Sequence, residues 1–264
     1  MHPILTVLEV GDVVRPIGTY GVLIALGIVL CTVLTARAAA RAREDVGAAV
    51  ASVGFVVAGG LAGAFLLNVI VEGFATGDPL YGVRESPGLV FYGGPIGGFV
   101  AGALTARPLG VPFLKLADLM VPALPAAHAV GRLGCFFGGC CYGARYDGPL
   151  SVVYANHPFV APLARHPAPL YEAALLLLLA FALALTPVRR AGSGARLGLY
   201  ATGYAIIRAL TETVRGDAVR GVWFGGAVST SQLLSVGVFA FGVVLLRRAA
   251  RAGDAAGAAR AAAP

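Results

Sequence analysis

Seven stretches of mostly apolar residues follow one another along the chain, at roughly 17–36, 46–71, 88–106, 116–137, 169–187, 197–214 and 226–246. Each is close to the roughly 20 residues that an α-helix needs to cross the hydrocarbon of a bilayer. Of 264 residues, 58% are hydrophobic and 12% charged, whereas a soluble domain carries about a quarter charged residues. The expected architecture is therefore all-α: a polytopic integral membrane protein of about seven transmembrane helices. No long polar stretch separates the runs, so 1–246 is read as a single transmembrane helical domain. The segment 247–264, RRAARAGDAAGAARAAAP, reads as a low-complexity cytoplasmic tail that buries no core and is disordered at its end. No Lys or Arg precedes Arg15, so a cleaved signal peptide is not expected.

Basic residues mark every second connection. Arg37, Arg41 and Arg43, then Arg107 and Lys115, then Arg189, Arg190 and Arg196, then Arg247, Arg248, Arg251 and Arg260 make up 12 of the 20 lysines and arginines. Because such residues favour the cytoplasmic side, the N-terminus is expected outside and the C-terminus inside. Membrane orientation thus accounts for the net charge of +7, and no nucleic-acid partner is expected. Two longer connections, 72–87 and 138–168, both fall on the outer side. The second carries Tyr154, His157 and His166, so a reactive site would open outward.

An ionisable group at bilayer depth costs about 2.5–3.5 kcal/mol on insertion scales and should be paired or face a polar cavity. Arg208, Glu212 and Arg215, at i, i+4 and i+7, predict one charged helix face. That face is either an ion pair with Arg215 snorkelling to the surface, or a cationic wall, held by Glu212, for an anionic substrate. Guanidinium suits the second role because it grips phosphate bidentately and stays charged when desolvated. Arg132 lies in a GRLG sequence that leaves space around it, fit either for capping helix carbonyls or for a lipid headgroup. Glu172, in HPAPLYEA, opens the fifth run, where its charge favours a helix N-terminus. His166 and Tyr171 in the same stretch read as interfacial anchors or as reactive groups. The glycine patches at 59–63 and 93–98 read as close helix contacts or as lipid-binding loops.

The segment GRLGCFFGGCCYG, 131–143, holds Cys135, Cys140 and Cys141. Three thiols could take a metal with His128 or His166 as a fourth ligand, but C-x4-C-C matches none of the usual C-x2-C zinc spacings. Tight packing, a disulfide, or a thiolate favoured by Arg132 also fit. Neither metal nor cofactor is expected. Cys31, alone in the first run, reads as a small buried hydrophobe.

Taken together and in order, these residues resemble the prolipoprotein diacylglyceryl transferases. The resemblance runs from about residue 18 to 246 and is carried by Thr19-Tyr20-Gly21, the Gly59-Gly60 patch, PGLVFYGGPIGG, GRLGCFFGGCCYG, HPAPLYEA, and the Arg208, Glu212, Arg215 set followed by Ser231-Gln232. It implies a seven-helix enzyme of the bacterial cytoplasmic (inner) membrane whose active site faces outward. The implied partners are phosphatidylglycerol and a prolipoprotein signal peptide bearing a lipobox cysteine, which receives the diacylglyceryl group as glycerol phosphate leaves. Tyr20, Arg132, Gly134, Gly143, Arg208, Glu212 and Arg215 match the family pattern. Tyr92 stands where the family usually has histidine, Cys135 and Cys140 where it has asparagine and glutamate, and Leu61 where an arginine is common.

On that reading Arg132 and Arg208 clamp the phosphate, Glu212 orients Arg208, and Arg215 lies near the mouth. Tyr20, Gly134 and Gly143 complete the substrate-binding set. The base for the incoming thiol is either Tyr92, whose phenol at about pKa 10 would need help from nearby arginines, or His166, closer to neutrality. Two alternatives stay open from the residues alone: a phospholipid-dependent enzyme that uses the cysteine cluster on another substrate, and a non-catalytic lipid-binding protein.

Overall fold

Helix dominates the structure, a computed structural model that describes residues 4–10, 13–86, 88–154, 162–186, 192–216, 221–223 and 228–261. Among these, β1 (Ile4–Val10) pairs antiparallel with β2 (Val13–Gly18), which runs directly into α1 (Thr19–Ala42). Then follow α2 (Val46–Thr76), the single turn α3 (Tyr81–Arg84), α4 (Gly93–Ala106), α5 (Phe113–Met120) and α6 (Leu124–Gly138). The strand pair β3 (Val152–Val153) and β4 (Ala164–Arg165) leads to α7 (Ala168–Ala184) and α8 (Ala195–Glu212). A last pair, β5 (Val222–Trp223) and β6 (Val228–Ser229), precedes α9 (Thr230–Ala261). The all-α expectation is thus amended by three short antiparallel pairs.

Local chemistry sets several of these boundaries. At the start of α2 the Asp45 carboxylate accepts from the Ala48 backbone N–H at 2.9 Å, supplying one of the partners that a first helical turn lacks. Gly77, at φ 76°, ends the same helix by donating its N–H to the Gly73 carbonyl; only glycine takes that left-handed backbone without strain.

The helix surfaces are inverted relative to a soluble protein. α7 exposes Leu178 and Phe181 at 65% each while burying Glu172 to 2%. Water would favour the reverse, so these apolar faces belong in lipid. α1, α2 and α9 (over Thr230–Ala252) are each long and apolar enough to cross a membrane, and α7 is a shorter apolar helix. The run expected at 116–137 is broken: α5 and α6 meet at a 52° bend and together have the length of one span. Pro122 lies within that break, where proline removes a helix donor and its ring clashes with the preceding turn, and Pro125 sits in the first turn of α6, where proline is tolerated. The run expected from 88 begins its helix only at Gly93, after a turn at Phe91 and Tyr92. α8 carries Arg196, Arg208 and Glu212, so its composition alone does not mark it as a span. The α9 backbone runs on through the low-complexity segment to Ala261; alanine and arginine are among the strongest helix formers. His157, Arg189 and Arg190 lie outside the described residues.

The chain forms two compact units. In the first, Thr32–Met120, α2 and α4 approach through glycine. A Cβ on Gly63 would run into the Gly93 carbonyl, and one on Gly97 into the Gly59 carbonyl. The two glycine patches are therefore a small-residue helix contact. Asn68, buried in α2, donates to the Ser86 carbonyl at 3.0 Å and pins the α3 loop, and Lys115 pairs with Glu44 at 2.9 Å. In the second unit, Met1–Cys31 with Val121–Pro264, α6 packs on α7, α7 on α8 and α8 on α9. Gly198 and Gly242 bring the last two together, since a Cβ on either would press on the other's carbonyl.

Replacing Gly63 by leucine is expected to lower the melting temperature in detergent and to cost on the order of 1–3 kcal/mol, the usual penalty of overpacking. Gly54→Ala, in the same helix with nothing within 4 Å, should leave it unchanged or raised. Equal behaviour of the two variants in thermal unfolding would remove the α2–α4 contact from the account.

Candidate active site

Four helices of the second unit converge on one group of charges. Arg132 comes from α6, Glu172 from α7, Arg208 and Glu212 from α8, and Ser231 from α9. Glu172 lies in the middle: its Oε1 is 2.9 Å from Arg132 Nη2, and its Oε2 is 3.7 Å from Arg208 Nη1. Arg208 Nη2 is 2.8 Å from Glu212 Oε2 and donates to Ser231 Oγ at 2.8 Å. His128 completes the rim, with Nε2 at 4.0 Å from Glu172 and its ring against Tyr204. Both guanidiniums and both carboxylates are at most 8% exposed.

Two cations and two anions cancel. Isolated in low dielectric, any one of them would cost several kcal/mol; mutual pairing with further hydrogen bonds offsets that penalty. The i, i+4 spacing of Arg208 and Glu212 yields the expected contact. Arg215 departs from its expected place. α8 ends at Glu212, and Arg215, three residues beyond, forms an antiparallel bridge with Gly143. Helical periodicity carried past the last turn is what misplaced it.

From the sequence a helix N-terminus suffices to explain Glu172; in the structure it is the shared partner of both arginines. It lies in the second turn of α7, two residues after the leucine and just ahead of a run of apolar residues. A carboxylate bordering such a run carries the same cost as an arginine within one, and that was the available signal.

The signature segment shapes the surroundings. Gly134 lies against α1: a Cβ there would meet Tyr20 Cδ2 at 3.2 Å and Leu23 Cβ at 3.4 Å. Its missing side chain lets α1 come up beside the helix that carries Arg132. Tyr20 itself is 48% exposed. Gly143 is enclosed by backbone on both sides. It donates to the His166 carbonyl at 2.9 Å, the neighbouring Ala144 N–H donates to Val214 at 2.8 Å, and a Cβ on Gly143 would collide with His166 and the Val214 carbonyl. The end of the signature segment is thereby stitched between His166, two residues before α7, and the residues after α8.

The two residues expected as bases, His166 and Tyr92, make aromatic contacts of their own. His166 stacks on Tyr146 with centroids 3.9 Å apart, and its Nδ1 is 3.3 Å from Tyr171 Oη. Its partner Tyr171 is next to Glu172 in sequence. Tyr92 immediately precedes α4 in the first unit, with its ring edge-on to Phe91.

A helical membrane protein with a buried, charge-balanced guanidinium–carboxylate cluster is the class these features define. Within that class the chain belongs to the prolipoprotein diacylglyceryl transferase family, whose model matches residues 7–248. The phosphatidylglycerol--prolipoprotein diacylglyceryl transferase of Clostridium tetani is 32% identical over 245 residues, 87% of this chain and 94% of that protein. The enzyme of the same name from Methylococcus capsulatus is 32% identical over 87% of this chain and 90% of its own length. A second form of it from Clostridium perfringens is 30% identical over 86% and 89%.

Glu172→Ala is expected to strand two buried arginines with less counter-charge and to cost about 3–5 kcal/mol, the usual price of breaking a buried pair. Glu172→Gln, which keeps an acceptor, should cost less. Thermal unfolding of the three proteins in one detergent checks the order, and an unshifted Glu172→Ala would show that the cluster is balanced elsewhere.

Proposed function

We propose that this protein transfers the diacylglyceryl group of phosphatidylglycerol to the lipobox cysteine of a prolipoprotein signal peptide. The thiol sulfur bonds to the glyceryl carbon, the carbon–oxygen bond to phosphate breaks, glycerol phosphate leaves, and the thiol proton passes to a base. The observation that carries this reading is the pairing of Arg132 and Arg208 on either side of Glu172. Among the described residues Arg132 Nε has no hydrogen-bond partner, so the fork retains a donor for a phosphate oxygen. Charge that develops on the leaving phosphate is then met by groups already oriented in a water-poor site, where they act most strongly.

In this scheme Arg132 and Arg208 bind the phosphate, Glu212 and Ser231 fix Arg208, and Glu172 keeps both guanidiniums in register. Arg215 lies at the mouth, on the bridge to Gly143. Tyr20, Gly134 and Gly143 shape the walls, and Tyr92 or His166 takes the thiol proton. The enzyme crosses the bacterial inner membrane about seven times as one domain over 1–246. Its N-terminus and active site face outward, and its tail from 247 is cytoplasmic. The exposed apolar faces and the alternation of basic connections support that topology.

Purified protein with phosphatidylglycerol and a synthetic lipobox peptide is expected to yield a peptide heavier by one diacylglyceryl group in mass spectrometry. Arg132→Ala should reduce the rate by at least about 100-fold, the scale of losing one transition-state donor, with membrane insertion retained. Failure of the wild type beside an active family member would overturn the reading. Tyr92→Phe and His166→Gln, assayed in parallel, assign the base: the variant that loses activity at neutral pH and regains part of it at higher pH is the one.

A further inference from the structure

The last turn of α6 ends in a double hydrogen bond that the cysteine spacing encodes. Gly139, at φ 72°, donates to the Phe136 carbonyl at 3.2 Å, and Cys140 donates to the Cys135 carbonyl at 3.0 Å. This is the glycine-terminated helix end in which the residue after the glycine folds back onto the residue five positions earlier. A C-x4-C pair across such an end is therefore a pair in space, although it is not one of the usual C-x2-C zinc spacings. Cys141 then takes φ 58°, a left-handed backbone that non-glycine residues adopt only where the surroundings impose it. All three sulfurs fall within 4.8 Å of one another, and the Cys140 thiol also reaches the Cys135 carbonyl at 3.6 Å.

We propose that Cys135, Cys140 and Cys141 form a binding site for a thiophilic cation of the zinc(II) or copper(I) type, independent of the transferase reaction. A metal about 2.3 Å from each thiolate in tetrahedral geometry separates the sulfurs by about 3.8 Å, so small side-chain rotations convert the observed cluster into a ligand set. Soft thiolates select this class of ion over calcium or magnesium. Three thiolates around a divalent ion leave one negative charge. Arg132 stands within electrostatic reach of Cys135 and Cys141, and Arg215 within reach of Cys141, so that charge has compensation. Cys135 is buried, Cys141 half-buried and Cys140 exposed, which gives the ion a way in and leaves its fourth position to water. Binding releases the thiol protons and would tie the signature segment to the helix that carries Arg132.

The test uses the full chain in detergent, reduced and stripped of metal, titrated with cobalt(II) and then with zinc(II). The expected result is a near-ultraviolet thiolate-to-cobalt absorption that saturates at one ion per chain and disappears as zinc displaces it. Cys140→Ser and Cys141→Ser should each weaken binding by at least about tenfold, whereas Cys31→Ser should not. Because Cys135→Ser alters a buried helix turn, the wild-type protein supplies a second readout: zinc should slow iodoacetamide labelling of Cys140, followed by mass spectrometry. Absence of the absorption, binding insensitive to the Cys140 and Cys141 substitutions, or unchanged Cys140 labelling would overturn the site. So would a disulfide that forms within the cluster in air despite stoichiometric zinc.

Discussion

Glu172 lying between Arg132 and Arg208 is the interaction on which this structure turns. Each arginine alone would be expelled from an apolar environment or would drag water in with it. Placed on either side of one carboxylate, with Glu212 and Ser231 holding the second arginine, they become compatible with burial. The arrangement also dictates packing, because α6, α7, α8 and α9 each contribute a side chain and must come close enough for contacts of 2.8–3.7 Å. Buried ion pairs add little net stability over an apolar substitute but penalise every arrangement that separates them. Here that penalty fixes which helix faces meet.

Glycine makes the close approach possible where charges do not enforce it. Gly59, Gly63, Gly93 and Gly97 allow backbone contact between α2 and α4, and Gly198 and Gly242 do so between α8 and α9. In lipid the helices gain nothing by excluding water from one another, so contact area and close packing carry the association. Gly143 serves a different need. The backbone of Gly143 and its neighbours Tyr142 and Ala144 joins two other segments at once, so the polar main chain of an irregular loop is paired within the protein.

Much of this was legible in the sequence, and what was not has physical reasons. The apolar runs at 17–36, 46–71 and 226–246 correspond to α1, α2 and α9, because a run of about 20 apolar residues leaves little choice but a spanning helix. The run at 116–137 has the same hydropathy but contains Pro122, and its break lies there. Arg132, Arg208 and Glu212 stood out because charge in an apolar run is costly, and they do meet. Glu172 carries equal weight but lay at a helix start, where a local electrostatic explanation hid the long-range one. Periodicity puts Arg215 on a helix face because it does not announce where a helix ends, and α8 stops at Glu212. Cys135 and Cys140 form a pair only once the glycine-terminated end of α6 is known.

The balance of charge also bears on how an anionic headgroup would be received. The cluster is neutral as it stands, so an added phosphate brings uncompensated negative charge into a site of low dielectric. Under the proposed reaction, Glu172 must yield part of its hold on one guanidinium as the phosphate arrives, or the phosphate must approach from the side of Arg132 Nε, which has no hydrogen-bond partner among the described residues. The second route leaves the Arg132–Glu172 contact of 2.9 Å intact and uses a donor that is otherwise unsatisfied. It also keeps Arg208, tied to Glu212 and Ser231, as a fixed charge whose position does not change during the reaction. A site that need not reorganise at the moment charge develops stabilises the transition state more than one that must. Arg208 Nη1 likewise has no hydrogen-bond partner among the described residues, so under the proposed reaction both arginines offer the phosphate a donor that is already in place.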